Sequence, residues 1–145
     1  TFKHRQAETG RAALKRIRTL QAGGHPLRYD GPVDQTALEA AYRRCSFTVY
    51  PSLMEGFGLP VLESLARGRP CICSGRGALG ETTRNGGCLA LDNVDAAALT
   101  AALRRLLTTP AETAQLAAAA RARRFRTWTD YAADLTGWLQ TLRRT

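Results

Sequence analysis

A chain of 145 residues has room for one hydrophobic core and not for two. With 44% hydrophobic and 23% charged residues it has globular composition, which excludes a disordered chain, and no apolar run approaches the roughly 20 residues of a membrane span. The net charge of +9 is carried almost wholly by arginine, but without interleaved aromatics or a nucleic-acid motif it does not point to nucleic acid. Solvated helix faces are the plain reading of Arg104, Arg105, Arg121, Arg123, Arg124 and Arg126, and an anionic membrane surface is the functional one.

In chain order the pattern alternates helix and strand. The opening TFKHRQAETG lacks the apolar core of a secretory signal, so a cytoplasmic location is expected, and a start on Thr rather than Met reads as a piece of a longer protein. Residues 5–22 read as an amphipathic basic helix ended by Gly23 and Gly24. PLRYDG, residues 26–31, reads as a short strand closed by Gly31. Asp34 is placed to cap a helix over 35–44 with Leu38, Ala41 and Tyr42 on one face. SFTVYPS reads as a buried strand stopped by Pro51. A glycine turn follows, then a helix from Leu59 or Pro60 to Arg67, with proline where its missing N–H costs nothing and Gly68 just past the end.

PCICS and CLALD read as two further strands, with a glycine-containing loop between them. Asp95 caps a helix over 96–107 with Leu99, Leu103, Leu106 and Leu107 on its apolar face. Thr109-Pro110 breaks that helix, another covers 111–124, and a last one covers 129–143 with Tyr131, Leu135, Trp138, Leu139 and Leu142. Strands alternating with helices imply an α/β fold, a Rossmann-like parallel sheet with helices on both faces. The four cysteines, Cys45, Cys71, Cys73 and Cys88, show no metal-ligand spacing and read as free thiols in a reducing compartment.

The chemistry concentrates in YPSLMEGFGLPVLE, at the carboxyl end of a strand, where such sheets bind ligands. Gly56 and Gly58 remove side chains, so that backbone N–H groups of the turn can approach a ligand. The first N–H groups of the following helix have no acceptor within it, and with the helix dipole they suit a phosphate. Glu55 and Glu63 flank these donors, and a carboxylate accepts hydrogen bonds in pairs, as vicinal hydroxyls require. Phosphate donors between two polyol acceptors describe a nucleotide-sugar site. The bland alternative is a tight strand-to-helix turn with Glu63 as a helix-start charge and Glu55 merely exposed.

The stretch PSLMEGFGLPVLESLARGRPCICS, with LRYDGPVDQTALEAAYRRCSFTVYPS before it and GALGE and FRTWTDYAADL after it, resembles the retaining glycosyltransferases of family 4, the group 1 enzymes of GT-B architecture. The mark of that family is a glutamate, seven residues and a second glutamate, here Glu55 and Glu63. The resemblance implies that Glu55 is catalytic and holds hydroxyls of the transferred sugar. The amides of Gly56, Phe57, Gly58 and Leu59 face the sugar and diphosphate, Glu63 holds the ribose hydroxyls, and the base lies near Gly31 to Val33. It implies transfer from a GDP- or UDP-linked sugar to an acceptor hydroxyl with retention, without a required metal or other cofactor. A bacterial enzyme of cell-surface polysaccharide or lipopolysaccharide synthesis is expected, working at the inner face of the membrane.

Such enzymes also have an N-terminal acceptor domain, and a glycine/Arg/Lys segment early in the second domain that neutralises the diphosphate. Neither is found in these residues. The chain therefore reads as part of the C-terminal donor-binding domain, 1–145, inactive alone and prone to self-association, with 129–143 as the helix that crosses back to the other domain. The rival within the enzymes is a dinucleotide oxidoreductase, raised by GRGALG at 75–80. It fails because Gly86-Gly87 cuts the following helix short and Asp92 comes too early for the ribose acid; Glu81 then caps or closes this loop in a structural role. The rival outside the enzymes is a non-catalytic nucleotide-binding or assembly module on the same fold. His4 and His25 read as surface residues.

Overall fold

A computed structural model describes residues 2–142. Arg143, the last residue of the expected terminal helix, lies outside the described residues. Seven helices and three strands follow one another in those residues: α1 (Phe2–Ala22), α2 (Gln35–Arg44), β1 (Thr48–Tyr50), α3 (Leu59–Ala66), β2 (Cys71–Ser74), α4 (Gly77–Thr83), β3 (Cys88–Leu91), α5 (Ala96–Thr108), α6 (Pro110–Ala122) and α7 (Trp128–Leu142). The chain divides into two compact units, Thr1–Leu38 and Glu39–Thr145.

In the first unit α1 ends where the glycines predict. Gly24 takes a left-handed φ of 78°, and the N–H groups of Gly23, Gly24 and His25 close onto the carbonyls of Thr19, Gln21 and Leu20. Residues 26–31 do not form the expected strand. Among the described residues no strand pairs with them; instead the Leu27 N–H closes onto the His25 carbonyl at 2.7 Å and the Leu27 carbonyl accepts from the Gln21 side-chain amide at 3.1 Å. Leu27 and Tyr29 are exposed, so burial does not fix the segment either; Arg28 pairs with Asp30 at 2.5 Å and Gly31 turns the chain with φ 65°. The Asp34 side chain then accepts the N–H of Ala37 at 2.8 Å and starts α2.

In the second unit the three strands are parallel, in the order β1-β2-β3. Thr48 stands opposite Cys71, and Cys71 opposite Cys88. The strictly alternating side chains of β2 divide the core. Cys71 and Cys73 face Val61 and Leu65 of α3, Leu79 of α4 and Ala120 of α6, while Ile72 faces Ala102 and Leu106 of α5. Helices thus cover both faces, as expected of a parallel sheet. Each fully buried Leu or Val contributes about 1.5–3 kcal/mol. The expected buried strand SFTVYPS shortens to Thr48–Tyr50, and its Val49 remains 39% exposed because β1 is an edge of the described sheet.

One helix was not expected. GALGETT, read as a loop, forms α4. Gly80 lies so close to the β2 exit that a Cβ there would stand 2.3 Å from the carbonyl oxygen of Gly75. The guanidinium of Arg123 holds the far end of the helix, donating to the carbonyls of Thr82 (2.7 Å) and Gly86 (3.0 Å). Glu81 is exposed on this helix and closes no loop.

Candidate functional site

Because the strands are parallel, their carboxyl ends share one edge of the sheet. The loop leaving β1 carries Glu55 and the glycine turn, the loop leaving β2 carries Gly75 and Arg76, and the loop leaving β3 carries Asp92 and Asn93. Glu55 is anchored from its own strand. The hydroxyls of Tyr50 and Ser52 both donate to its Oε1, at 2.6 and 2.8 Å. These two bonds, that of Tyr50 foremost, hold the Glu55 carboxyl below its ordinary pKa, and the same bond raises that of Tyr50. Oε2 takes no bond from any described residue.

The turn then runs through Gly56 and Phe57 to Gly58, which caps α3 in the left-handed conformation with φ 76° and ψ 43°. The two glycines serve different ends. A Cβ on Gly56 would meet nothing within 4 Å, whereas one on Gly58 would stand 2.3 Å from Cδ2 of Leu79. A side chain at Gly56 would thus have open space, whereas Gly58 is demanded by its own φ and by close packing on α4. The Gly58 carbonyl accepts the N–H groups of Val61 (3.0 Å) and Leu62 (3.4 Å), and Pro60 has none. The N–H groups of Gly56, Phe57, Gly58 and Leu59 donate to no described residue, so a short run of backbone donors without a protein partner stands at the positive end of a helix dipole. The side chains around it are apolar and turned to solvent: Leu53, Met54, Phe57 and Leu59 are 58–90% exposed.

Glu63 is half-buried on α3, one turn beyond these donors. Arg67, one turn further, donates to the Glu63 carbonyl at 2.8 Å and through Nε to both Glu39 carboxylate oxygens at 3.0 Å, and its guanidinium stands 4.5 Å over the Tyr42 ring. Burial first, and the Glu63 charge next, raise the pKa of the Tyr42 phenol. At the neighbouring loop exposed Arg76 donates to Asn93 Oδ1 at 3.1 Å and brings a cation to the edge.

Of the predicted site residues, Glu55 to Leu59 form one continuous turn and Glu63 follows on its helix. Val33 lies in the first unit, exposed, in the stretch before α2. Sequence reading missed Tyr50, Ser52, Arg67 and Arg76; for Arg76 a signal existed, since a cation directly after a strand end falls on the binding edge. Several of the arginines expected on solvated faces have protein partners: Arg105 pairs with Glu112 at 2.8 Å, Arg126 with Asp134, and Arg123 with the two carbonyls of the α4 end. Cys71 and Cys73 are buried, and all four cysteines are free. No helix of the described residues is long and apolar enough to cross a membrane.

An α/β fold with a parallel sheet and a glycine turn at its carboxyl edge is that of a GT-B glycosyltransferase fragment: the structure is similar to sucrose-phosphate synthase from Thermosynechococcus elongatus, with a TM-score of 0.71 and 29% identity over 90% of this chain and 34% of that one. Residues 14–123 match the family model described as Glycosyl transferases group 1, and the chain belongs to that family. It is 41% identical over 97 residues to a glycogen synthase of Mycobacterium tuberculosis, covering 66% of this chain and 23% of that protein. It is 42% identical over 71 residues to the O-antigen chain mannosyltransferase B of Escherichia coli, covering 48% and 19%. It is 36% identical over 117 residues to a D-inositol 3-phosphate glycosyltransferase of Thermomonospora curvata, covering 77% and 27%. The chain thus spans no more than about a third of the relatives it matches.

Proposed function

We propose that these residues form the donor-binding part of a retaining glycosyltransferase that moves a sugar from a nucleoside diphosphate to an acceptor hydroxyl. The observation that carries this reading is the run of unengaged N–H groups at Gly56–Leu59 between two carboxylates, one of them held by Tyr50 and Ser52. The amides and the α3 dipole receive the diphosphate and stabilise the charge that grows on it as the sugar departs. Glu55, kept ionised by its two hydroxyl donors, accepts sugar hydroxyls through its remaining lone pairs. Glu63 accepts the ribose hydroxyls. The donor is GDP- or UDP-linked, and the reaction asks for no metal.

The family relation, and a relative named for O-antigen mannosyl transfer, support a role in bacterial cell-surface polysaccharide synthesis at the cytoplasmic side of the membrane. The acceptor binds through a further domain, toward which the apolar stripe of α7, with exposed Trp138 and Leu142, would turn. The test is calorimetry of the full-length protein against UDP, GDP and ADP. Glu63→Ala weakens the preferred diphosphate by about 1.5–3 kcal/mol, one charged hydrogen bond, while Glu55→Gln lowers sugar turnover more than nucleotide affinity. Unchanged affinity in Glu63→Ala refutes the assignment.

A further inference from the structure

Parallel strands share their amino ends as well as their carboxyl ends, and the amino edge of this sheet is basic. Arg43 and Arg44 close α2 just before β1, Arg69 stands two residues before β2, and Arg84 four residues before β3. The end of α6 lies against the same edge: a Cβ on Gly68 would stand 2.6 Å from Cγ of Arg121, and one on Gly87 3.0 Å from Ala120. Hydrogen bonds join these segments. Arg69 donates to the Arg43 carbonyl at 2.6 Å, and Arg123 to the carbonyls of Thr82 and Gly86. An open depression between the β3 entry and α6 is lined by Asn85, Ala119, Ala122, Arg123 and Arg124. Part of this charge serves the fold, since Arg69 and Arg123 satisfy carbonyls at helix ends, where a cation complements the dipole. Arg44, Arg84, Arg121 and Arg124 differ: all four are exposed, and none pairs with a described carboxylate, unlike Arg28, Arg67, Arg105 and Arg126. The exposed acid nearest them in sequence is Glu81 on α4, whereas Glu55, Asp92 and Asp95 stand at the opposite, carboxyl edge.

We propose that this basic amino edge docks the protein on an anionic lipid bilayer, with the glycine turn and its carboxylates on the side away from the lipid. Charge complementarity is the argument, and its form favours a bilayer. The cations come from four chain segments spread over one end of the sheet, which matches a diffuse layer of anionic headgroups, and each arginine near such a surface strengthens binding about fivefold. None of the large exposed apolar side chains lies on these segments, so they lack the apolar centre of a protein interface. Phe125, the aromatic beside Arg123 and Arg124, packs against the core with the Arg123 guanidinium 5.5 Å over its ring, and does not stand out as a platform on which a base could stack. The depression beside Arg124 has room and charge for one headgroup phosphate. Docking of this kind does not depend on the donor reading given above.

Co-sedimentation of the full-length protein with vesicles tests this. Wild type is expected to bind vesicles of phosphatidylcholine mixed with phosphatidylglycerol, to be released by salt, and to ignore vesicles of phosphatidylcholine alone. Arg44→Gln, Arg84→Gln and Arg124→Gln together should weaken that binding by about a hundredfold. Their melt should stay near that of wild type, because all three positions are exposed. If the triple variant melts lower, Arg84→Gln alone takes its place, with a loss of about fivefold. The control is Arg11→Gln, Arg16→Gln and Arg18→Gln, which removes the same charge from exposed positions of α1 and should cost much less. Equal losses in the two triple variants overturn the proposal, as does a wild type that binds anionic and neutral vesicles alike, or neither. Binding to a single-stranded oligonucleotide but not to the anionic vesicles would assign the face to nucleic acid and overturn it too. A wild type that docks on vesicles but binds no nucleotide sinks the donor reading and leaves this inference standing.

Discussion

Replacing Gly58 by alanine tests whether the turn is shaped by its own backbone and by α4. Two costs add. An L-residue held in the left-handed region at φ 76° costs about 1–2 kcal/mol. The new methyl would lie 2.3 Å from Cδ2 of Leu79, a side chain only 2% exposed and enclosed by the core, so relief requires the core to shift, at about 1–3 kcal/mol. Leu79 ends in a movable methyl, which favours the lower part of that range, and the sum is about 2–4 kcal/mol. At roughly 2–4 °C per kcal/mol for a chain near this size, the melting temperature should fall by about 5–15 °C. Gly56→Ala is the control: its φ is not left-handed and its Cβ meets nothing within 4 Å, so its stability should stay within about 0.5 kcal/mol of wild type. Repeating Gly58→Ala in a Leu79→Ala background removes the clash and leaves only the backbone part. Melting curves of the four variants decide the matter. If Gly58→Ala and Gly56→Ala melt together, the reasoning about this turn is wrong.

Two further outcomes are expected. Glu55 should titrate below an ordinary glutamate, and Tyr50→Phe should raise it, as followed by NMR of the labelled carboxylate. Because its folded pKa is lowered, its contribution to stability is present above the unfolded carboxylate value and disappears as the pH falls through the folded one, so the stability gap between wild type and Tyr50→Phe should close on acidification. A gap that widens in acid contradicts the assignment. Arg123→Ala should cost roughly 1.5–3 kcal/mol by stripping two carbonyls of a charged donor, with faster hydrogen exchange concentrated in α4; protection there at the wild-type level would show that the arginine does not hold that helix.

The parts of the fold that were legible in the sequence are those governed by local chemistry. Asp34 and Asp95 cap α2 and α5 as their positions suggest, each accepting an N–H at 2.8 Å, and Pro60 and Gly68 bracket α3. What was illegible depends on neighbours distant in sequence. PLRYDG has the residues of a strand but no described partner. GALGETT has the glycines of a loop, yet packs as a helix because Gly80 fits against Gly75 and Arg123 reaches across from the end of α6. The turn and its carboxylates could be found by spacing alone. Their supports, Tyr50 and Ser52 for Glu55 and the Glu39–Arg67–Tyr42 group beside Glu63, could not, since α2 meets α3 only after folding.

The glycine turn separates its shape from its surface. Its path is fixed from within, by two hydroxyls on Glu55 at one end and by Leu79 beneath Gly58 at the other. The side chains at 53, 54, 57 and 59 point outward and take no part in that fixing. Changes at these four positions can therefore alter what the rim of the site touches while the backbone donors stay where they are. A rim of this kind is a surface on which new contacts can be selected, or engineered, one side chain at a time, without rebuilding the turn beneath it.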